Sequence, residues 1–353
     1  MVALVRGGRT LLRTAKGWFL EFRLIPVLLW SYTAVVLGTA IAVSDVGGFD
    51  TRWFVVALAL GGLIQGWETH AINEIYDWRS GTDQVDGPRA LSGGSRVRNF
   101  GLLDERGLWL IFAVSSVAIA ALTAWVVVAR AAWLAILILT GYALGIAYTV
   151  PPIATAYRPF AGEWLGGFPG VLLSGLGAYG IQAQSISLVA IVALSAHALV
   201  CMGMLMMHHY LDAPMDAAAV PPKRTTVVVV GFPNSKRYAG VMAATAALLY
   251  GILGVTTHPA FFLGFALTAP AVWIHLRTNP TNLESVTRNE LRIIQLGIAA
   301  GLSTAVGLAP ILWPMLPLAA FGYLAHLAVV SPPAELGRAW RRAPGRKKRS
   351  QKT

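Results

Sequence analysis

The sequence predicts an all-α protein: a polytopic membrane bundle of nine to ten transmembrane helices around a central cavity that opens to the cytoplasmic side. Three observations carry this. The chain is 56% hydrophobic and only 12% charged, where soluble domains run near 25% charged. Ten apolar stretches are long enough, or nearly so, to cross a bilayer as helices. The 16 acidic residues among 353 are not scattered but gather at the ends of two of those stretches.

The stretches fall at residues 24–43, 53–74, 107–129, 131–149, 164–183, 186–207, 238–256, 259–276, 291–309 and 311–330. The last contains Pro314 and Pro317, so a re-entrant segment is the alternative, with nine spans. Residues 1–23 form a basic cytoplasmic N-terminal segment with Arg6, Arg9, Arg13 and Lys16. No cleavage site follows the first span, which reads as retained. Residues 24–330 form the membrane domain. Residues 331–353 form a basic tail, disordered by composition and set near anionic lipid. Residues 338–353 alone carry eight basic residues and no acid. Basic residues recur in every second loop, at Arg79–Arg106, Arg158, Lys223–Arg237 and Arg277–Arg292. By the positive-inside rule these loops face the cytoplasm, and an even span count returns the tail there. The single cysteine, Cys201, excludes an intrachain disulfide. Nothing beyond the tail suggests nucleic acid, so the bilayer is the expected macroscopic partner. The sequence does not specify an oligomeric state.

The two acidic segments read Asn73-Glu74-Ile75-Tyr76-Asp77-Trp78-Arg79-Ser80-Gly81-Thr82-Asp83 and His208-His209-Tyr210-Leu211-Asp212-Ala213-Pro214-Met215-Asp216. They follow the second and sixth spans, on the same side of the membrane. Asn73 and Asp77 are four apart and share a helix face, as do His208, Asp212 and Asp216. Asp83 lies beyond Gly81 in a loop able to fold back, with Asp86 nearby. Pro214 is expected to break its helix and leave Asp216 on a broken end. Carboxylates at the mouth of a membrane bundle are costly and mark function. Hard carboxylate oxygens suit Mg²⁺, which takes one or two carboxylates together with phosphate oxygens and water. Two such groups, each followed by bases, point to a diphosphate held through Mg²⁺, with Arg89, Lys223 and Arg224 placed to neutralise its charge. A helix-end acid alone has a plainer reading as a cap; two matched segments do not. His208, His209, Glu68 and His70 are expected to line the cavity, and His208 and His209 are also possible metal ligands. Paired cysteines and the HExxH pattern are absent, which weakens zinc, and no P-loop, GxSxG or dinucleotide fingerprint stands in a suitable context.

The stretch Asn73–Asp83, with Gly87–Val97 after it, resembles the first Asp-rich motif of the UbiA-type intramembrane prenyltransferases, most closely the branch that makes menaquinone precursors. Tyr148–Glu163 is similar to that branch's loop after the fourth span, and Asp212–Thr225 to its second motif. Arg23–Pro26 and Leu37–Ala40 are similar to its first helix, so the resemblance covers residues 20–310. It implies Mg²⁺ held by Asn73, Asp77, Asp83, Asp212 and Asp216, an isoprenyl diphosphate as prenyl donor, and an aromatic acceptor such as 1,4-dihydroxy-2-naphthoate. Catalytic roles fall on Asp77, Asp83, Asp212, Asp216 and Tyr148, and diphosphate contacts on Arg89, Arg158, Lys223 and Arg224. Trp67, Tyr76, Tyr142, Tyr148 and Trp164 are candidates to wall in an allylic cation. The chain departs from the pattern at Glu74, His208 and Ala156, which bears on the acceptor. A terpene cyclase on the same fold and, in another class, a secondary transporter remain the alternatives; transporter sites sit near mid-membrane rather than at one face.

Overall fold

The computed structural model describes residues 2–84 and 94–330; the expectations for Asp86, Arg89 and the tail lie outside them. Among the described residues every regular element is helical. Helix α1 (Val2–Glu21) meets a sharp corner at Arg23, in the left-handed region with φ 47°. The chain then runs through α2 (Leu24–Val27), a π-helical turn (Leu28–Tyr32) and α3 (Thr33–Val46). Asp50 caps α4 (Thr51–Gly61) by accepting from the backbone N–H of Arg52 and Trp53, satisfying two of the orphan donors of a helix start. A second π-helical stretch (Gly62–Thr69) joins α4 to α5 (His70–Ser80), and Gly81 at φ 89° ends it. Gly81 does so because only glycine takes this conformation without a Cβ penalty.

Helices α6 (Glu105–Ala129) and α7 (Leu134–Thr149) follow. A third π-helical turn (Gly162–Gly167) leads into α8 (Phe168–Ala183). Then come α9 (Leu188–Ala218), α10 (Thr226–Thr256, kinked at Gly231), α11 (Phe261–Arg277), α12 (Leu283–Leu308) and α13 (Met315–Val330).

Six of the ten expected spans are helices long and apolar enough to cross a membrane, which makes the chain an integral membrane protein. The other four are shorter or interrupted. Residues 53–74 divide among α4, the π-helical stretch and α5, residues 164–183 carry a π-helical turn, and α7 and α11 have 16 and 17 residues. The expected count of nine to ten is therefore not established by helix length. The N-terminal segment expected to precede the first span is itself helical.

Burial separates centre from periphery. The spanning window in Leu12–Val46 is 78% buried and that in Leu188–Ala218 is 72%, against 28% for Glu105–Ala129 and 17% for Pro310–Val330. Helix α3 and the apolar first part of α9 form the centre, as helices apolar on all sides must, while α6 and α13 turn most of their surface outward. Without a strong hydrophobic drive between helices in lipid, close backbone approach carries the packing. A Cβ on Gly38 of α3 would stand 2.1 Å from the carbonyl oxygen of Gly175 on α8, so only glycine admits this contact.

Candidate diphosphate and metal site

The ends of α5 and α9 meet at the mouth of one cavity. Asn73 and Asp77 stand one turn apart on α5, and Asn73 Nδ2 donates to Asp77 Oδ2 at 3.0 Å and to Thr149 Oγ1 at 3.0 Å. Beyond Gly81 the chain folds back: the Asp83 N–H reaches the Asp77 carbonyl at 3.4 Å, and Thr82 Oγ1 donates to the same carbonyl at 2.8 Å. This turn brings the Asp83 carboxylate to the cavity wall beside Asp77. On α9, His208, Asp212 and Asp216 follow one another at four-residue spacing and all line the cavity. The expected break at Pro214 does not occur; α9 continues to Ala218. Proline forfeits one hydrogen bond there, and the helix has only one turn left to run, so the interruption costs little of its length.

Lys223 joins the two segments. Its backbone N–H donates to the Asp216 carbonyl at 2.8 Å, and its Nζ donates to Asp77 Oδ2 at 2.6 Å. Tyr157 completes the cluster by donating its hydroxyl to Asp77 Oδ1 at 2.7 Å. Asp77, Asp83 and Asp216 are 3%, 8% and 2% exposed. Oδ2 of Asp83 and Oδ2 of Asp216 are buried with no hydrogen-bond partner, and leaving a carboxylate oxygen so costs the desolvation of the group. Burial, then the neighbouring Asp77 and Glu74 carboxylates, push the Asp83 carboxyl well above its usual range. For Lys223 burial alone would lower the ammonium pKa, but Asp77, Asp216 and Asp83 outweigh it and hold it well above the usual lysine value.

This arrangement is a concentrated negative field in which, among the described residues, Lys223 is the ammonium that touches the carboxylates, with buried oxygens that lack partners. Among the described residues no three histidine, cysteine, aspartate or glutamate side chains converge closely enough to hold a metal ion by themselves. That fits Mg²⁺ arriving with a phosphate ligand, since Mg²⁺ keeps waters and shares its shell between one or two carboxylates and phosphate oxygens.

Asn73, Asp77, Asp83, Tyr148, His70, His208, His209, Asp212, Asp216 and Lys223 all line this cavity. Three expected residues do not. Glu68 is fully buried, faces Gly145 of α7 and accepts from Thr69 Oγ1 at 3.0 Å. The π-helical stretch Gly62–Thr69 shifts the register so that Thr69, His70 and Asn73 take the cavity face in its place. Arg158 is exposed and donates to the Pro152 carbonyl at 2.6 Å. Arg224 is exposed and uses its backbone N–H on the Tyr157 carbonyl. Of the five expected aromatics only Tyr148 lines the cavity. Trp67 packs on Phe22 and donates to the Trp18 carbonyl, Tyr142 pairs with Ser116, Trp164 donates to the Tyr238 hydroxyl, and Tyr76 lies under Arg79.

Sequence reasoning passed over Tyr157, Glu290 and Arg23. Glu290 accepts or shares a proton with His208 Nδ1 at 2.9 Å, and both line the cavity with Arg23. Glu290 is an acid at the head of an apolar stretch, the same signal that marked Asp77 and Asp212. Below the mouth the walls turn apolar, with Val35, Leu60, Ile64, Leu137, Ile138 and Val171.

Residues 29–291 match the model of the UbiA prenyltransferase family. Over 137 residues the chain is 34% identical to 1,4-dihydroxy-2-naphthoate octaprenyltransferase of Bacillus subtilis (strain 168), a match that spans 39% of this chain and 42% of that relative's length. The fold is similar to a UbiA homolog from Archaeoglobus fulgidus bound to GPP and Mg²⁺, with TM-score 0.58, 15% identity and coverage of 82% of this chain and 99% of that one. It is also similar to the apo structure of a UbiA homolog from Aeropyrum pernix K1, with TM-score 0.57, 17% identity and coverage of 80% and 98%.

Proposed function

This chain belongs to the UbiA prenyltransferase family, and from that premise we propose that it transfers a prenyl group from an isoprenyl diphosphate to an aromatic acceptor in an Mg²⁺-dependent reaction. One observation carries the reading: two carboxylate segments far apart in sequence meet, bridged by Lys223, at the mouth of a cavity whose remaining wall is mostly apolar. A ligand with a multiply charged head and a hydrocarbon tail matches that division. The Archaeoglobus fulgidus homolog is described as binding GPP and Mg²⁺, a ligand of this kind.

Asn73, Asp77, Asp83, Asp212 and Asp216 would hold the metal. When bound, Mg²⁺ supplies positive charge to the diphosphate oxygens as the leaving group departs. Among the described residues Lys223 is the protein cation in contact with these carboxylates. Its ammonium rests on Asp77 and would turn to a diphosphate oxygen, where negative charge grows in the transition state. The C1–O bond breaks with its electron pair going to the diphosphate, leaving an allylic cation at C1. Tyr148 and Trp30 line the cavity, and an aromatic face stabilises such a cation. A ring carbon of the acceptor then bonds to C1, and the group it carried leaves, either as a proton taken up by the released diphosphate or as a carboxylate lost as CO₂. The apolar wall excludes water, which would otherwise capture the cation as an alcohol. The positive-inside pattern of the loops supports a mouth on the cytoplasmic face of the membrane. The acceptor class is a quinone precursor such as 1,4-dihydroxy-2-naphthoate, supported by the sequence motifs and by the partial relative from Bacillus subtilis.

The test uses purified protein in detergent with allylic diphosphates, with and without the naphthoate, and in parallel with EDTA. Acceptor-dependent diphosphate release with a prenylated product, lost in EDTA and restored by Mg²⁺, is expected. Release that gives a hydrocarbon or alcohol without any acceptor would replace the transferase by a cyclase or hydrolase.

A further inference from the structure

We infer that Gln65, with the bare face of Gly141 opposite it, is a subsite for the prenyl acceptor, and that the side-chain NH2 of Gln65 donates to a hydroxyl oxygen on the acceptor's aromatic ring. This rests on the transferase reading and adds to it a residue that selects the acceptor. Ser31 and Gln65 interrupt the apolar wall below the mouth. They stand on two of the π-helical turns, Leu28–Tyr32 and Gly62–Thr69. The Ser31 backbone N–H donates to Gln65 Oε1 at 3.1 Å, and the Ser31 hydroxyl donates to the same oxygen. A backbone N–H can only donate, so the amide oxygen is the atom turned to Ser31. That leaves the NH2 end. Gln65 is half-buried and lines the cavity, and among the described residues nothing accepts from its Nε2.

As a polar tie between two helical segments in lipid, the pair needs only the oxygen end of the amide. Two unpaired N–H groups toward a mostly apolar space are costly, and a ligand oxygen removes that cost. The wall across from them is cleared. Helix α7 runs alongside the second π-helical turn and α5 in matched steps of four residues. Thr149 bonds Asn73 at 3.0 Å, and a Cβ on Gly145 would collide with Thr69 Oγ1. The next step down sets Gly141 at the level of Gln65. A Cβ on Gly141 meets nothing within 4 Å, and Gly141 lines the cavity. The free amide donors thus stand beside a gap with no side chain on its other wall, a shape that admits a flat ring.

The depth matches the chemistry. Gln65 precedes Asn73 by eight residues, about 12 Å along the axis at ~1.5 Å per residue. A hydrogen bond of ~3 Å, about 4 Å from a ring oxygen to a carbon across the ring, and an attack distance of ~3.5 Å cover most of that depth. A ring held by its oxygen at Gln65 therefore brings its reacting carbon up to the C1 of a donor whose diphosphate sits at Asp77. The amide is also a neutral donor. It orients the ring without drawing off the electron density with which the ring attacks, as the stronger bond from an Arg or Lys at this place would. A site built to bond a hydroxyl rejects an analogue that lacks it.

The experiment uses the purified full chain in detergent with Mg²⁺, geranyl diphosphate, and 1,4-dihydroxy-2-naphthoate or its monohydroxy counterparts, 1-hydroxy- and 4-hydroxy-2-naphthoate. It measures KM for the donor and for each acceptor, or Ki where an analogue does not turn over. Wild type is compared with Gln65→Leu, Gln65→Glu and Gly141→Leu, each checked for an unaltered melting profile. Gln65→Leu should raise KM for the dihydroxy acceptor about tenfold, the effect of one lost hydrogen bond, and leave the donor KM as it is. For the monohydroxy compound that lacks the contacted oxygen, wild type and Gln65→Leu should agree, because this double comparison separates the bond from the compound's own reactivity. Gln65→Glu keeps the bond from Ser31 but turns an oxygen to the ring, and should lose at least as much. Gly141→Leu fills the gap and should weaken all of the acceptors without moving the donor KM. Acceptor KM values unchanged in the folded variants overturn the subsite while leaving the transferase in place. So does a Gln65→Leu variant that weakens donor and acceptor alike, or every acceptor equally, since that is a structural effect. Should the Gln65 variants fail to fold, Gly141→Leu and the wild-type contrast among the acceptors decide. Diphosphate release that needs no acceptor, or no release at all, overturns the transferase reading and the subsite with it.

Discussion

Replacing Lys223 by methionine removes the ammonium that, among the described residues, touches the carboxylates of the mouth. The Lys223–Asp77 pair is 2.6 Å long, with side chains 11% and 4% exposed. Removing one partner of a buried ion pair costs about 3–5 kcal/mol. Asp77 keeps two donors, Asn73 Nδ2 and the Tyr157 hydroxyl, so the lower end applies, about 3 kcal/mol. For a chain of 353 residues, that corresponds to about 4 °C of melting temperature. The sign of the Mg²⁺ response is the sharper part of the prediction. Without the lysine, Asp77, Asp83 and Asp216 have lost their internal cation, so added Mg²⁺ should raise the melting temperature of Lys223→Met more than that of wild type. Diphosphate release should fall by about 10²–10³, the usual loss when one contact to a developing negative charge is removed. Fluorimetric melting with and without Mg²⁺ and a diphosphate-release assay read the two effects. A variant that melts like wild type, gains nothing extra from Mg²⁺ and turns over normally would refute the reasoning.

Asp77→Asn and Asp212→Asn should each abolish Mg²⁺-dependent diphosphate release while the protein still elutes as a folded species; full turnover in either would remove that residue from the metal site. Gly38→Ala should destabilise by about 1–3 kcal/mol through overpacking, because its Cβ falls 2.1 Å from the Gly175 carbonyl oxygen. An unchanged melting temperature there would mean that α3 and α8 separate freely. His208→Ala should cost about 1–3 kcal/mol by leaving the 2% exposed Glu290 carboxylate without its partner, and an unaltered melting curve would show that Glu290 finds another donor.

Much of the site was legible because its logic is local. The four-residue spacing of Asn73 and Asp77, and of His208, Asp212 and Asp216, survives folding intact, and apolar runs marked where helices stand. What was not legible depends on backbone detail that hydrophobic pattern does not encode. Pro214 reads as a breaker, yet its helix runs on to Ala218. Lys223 was foreseen as a base for the diphosphate, but its bond to Asp77 depends on how the segment after Asp216 turns back, which composition does not give. Tyr157 and Arg158 are adjacent polar residues of one loop, and only the loop's conformation turns the first onto Asp77 and the second to Pro152. Four of the five aromatics chosen as cavity walls face neighbours instead, since an aromatic in an apolar run carries no mark of which side it takes.

The π-helical turns at Leu28–Tyr32, Gly62–Thr69 and Gly162–Gly167 have a consequence for how this chain tolerates change. A π turn holds an extra residue, and such turns gather at functional sites. Losing that residue would leave a regular, fully hydrogen-bonded α-helix, at little expense to the fold. Everything beyond it, however, would swing by about 100° about the helix axis. At Gly62–Thr69 this would carry Asn73 and Asp77 away from Asp212 and Asp216. A one-residue deletion would thus disarm the site without damaging the helix, so at these turns thermal robustness and chemical competence are separable, and selection for the first alone would erase the second.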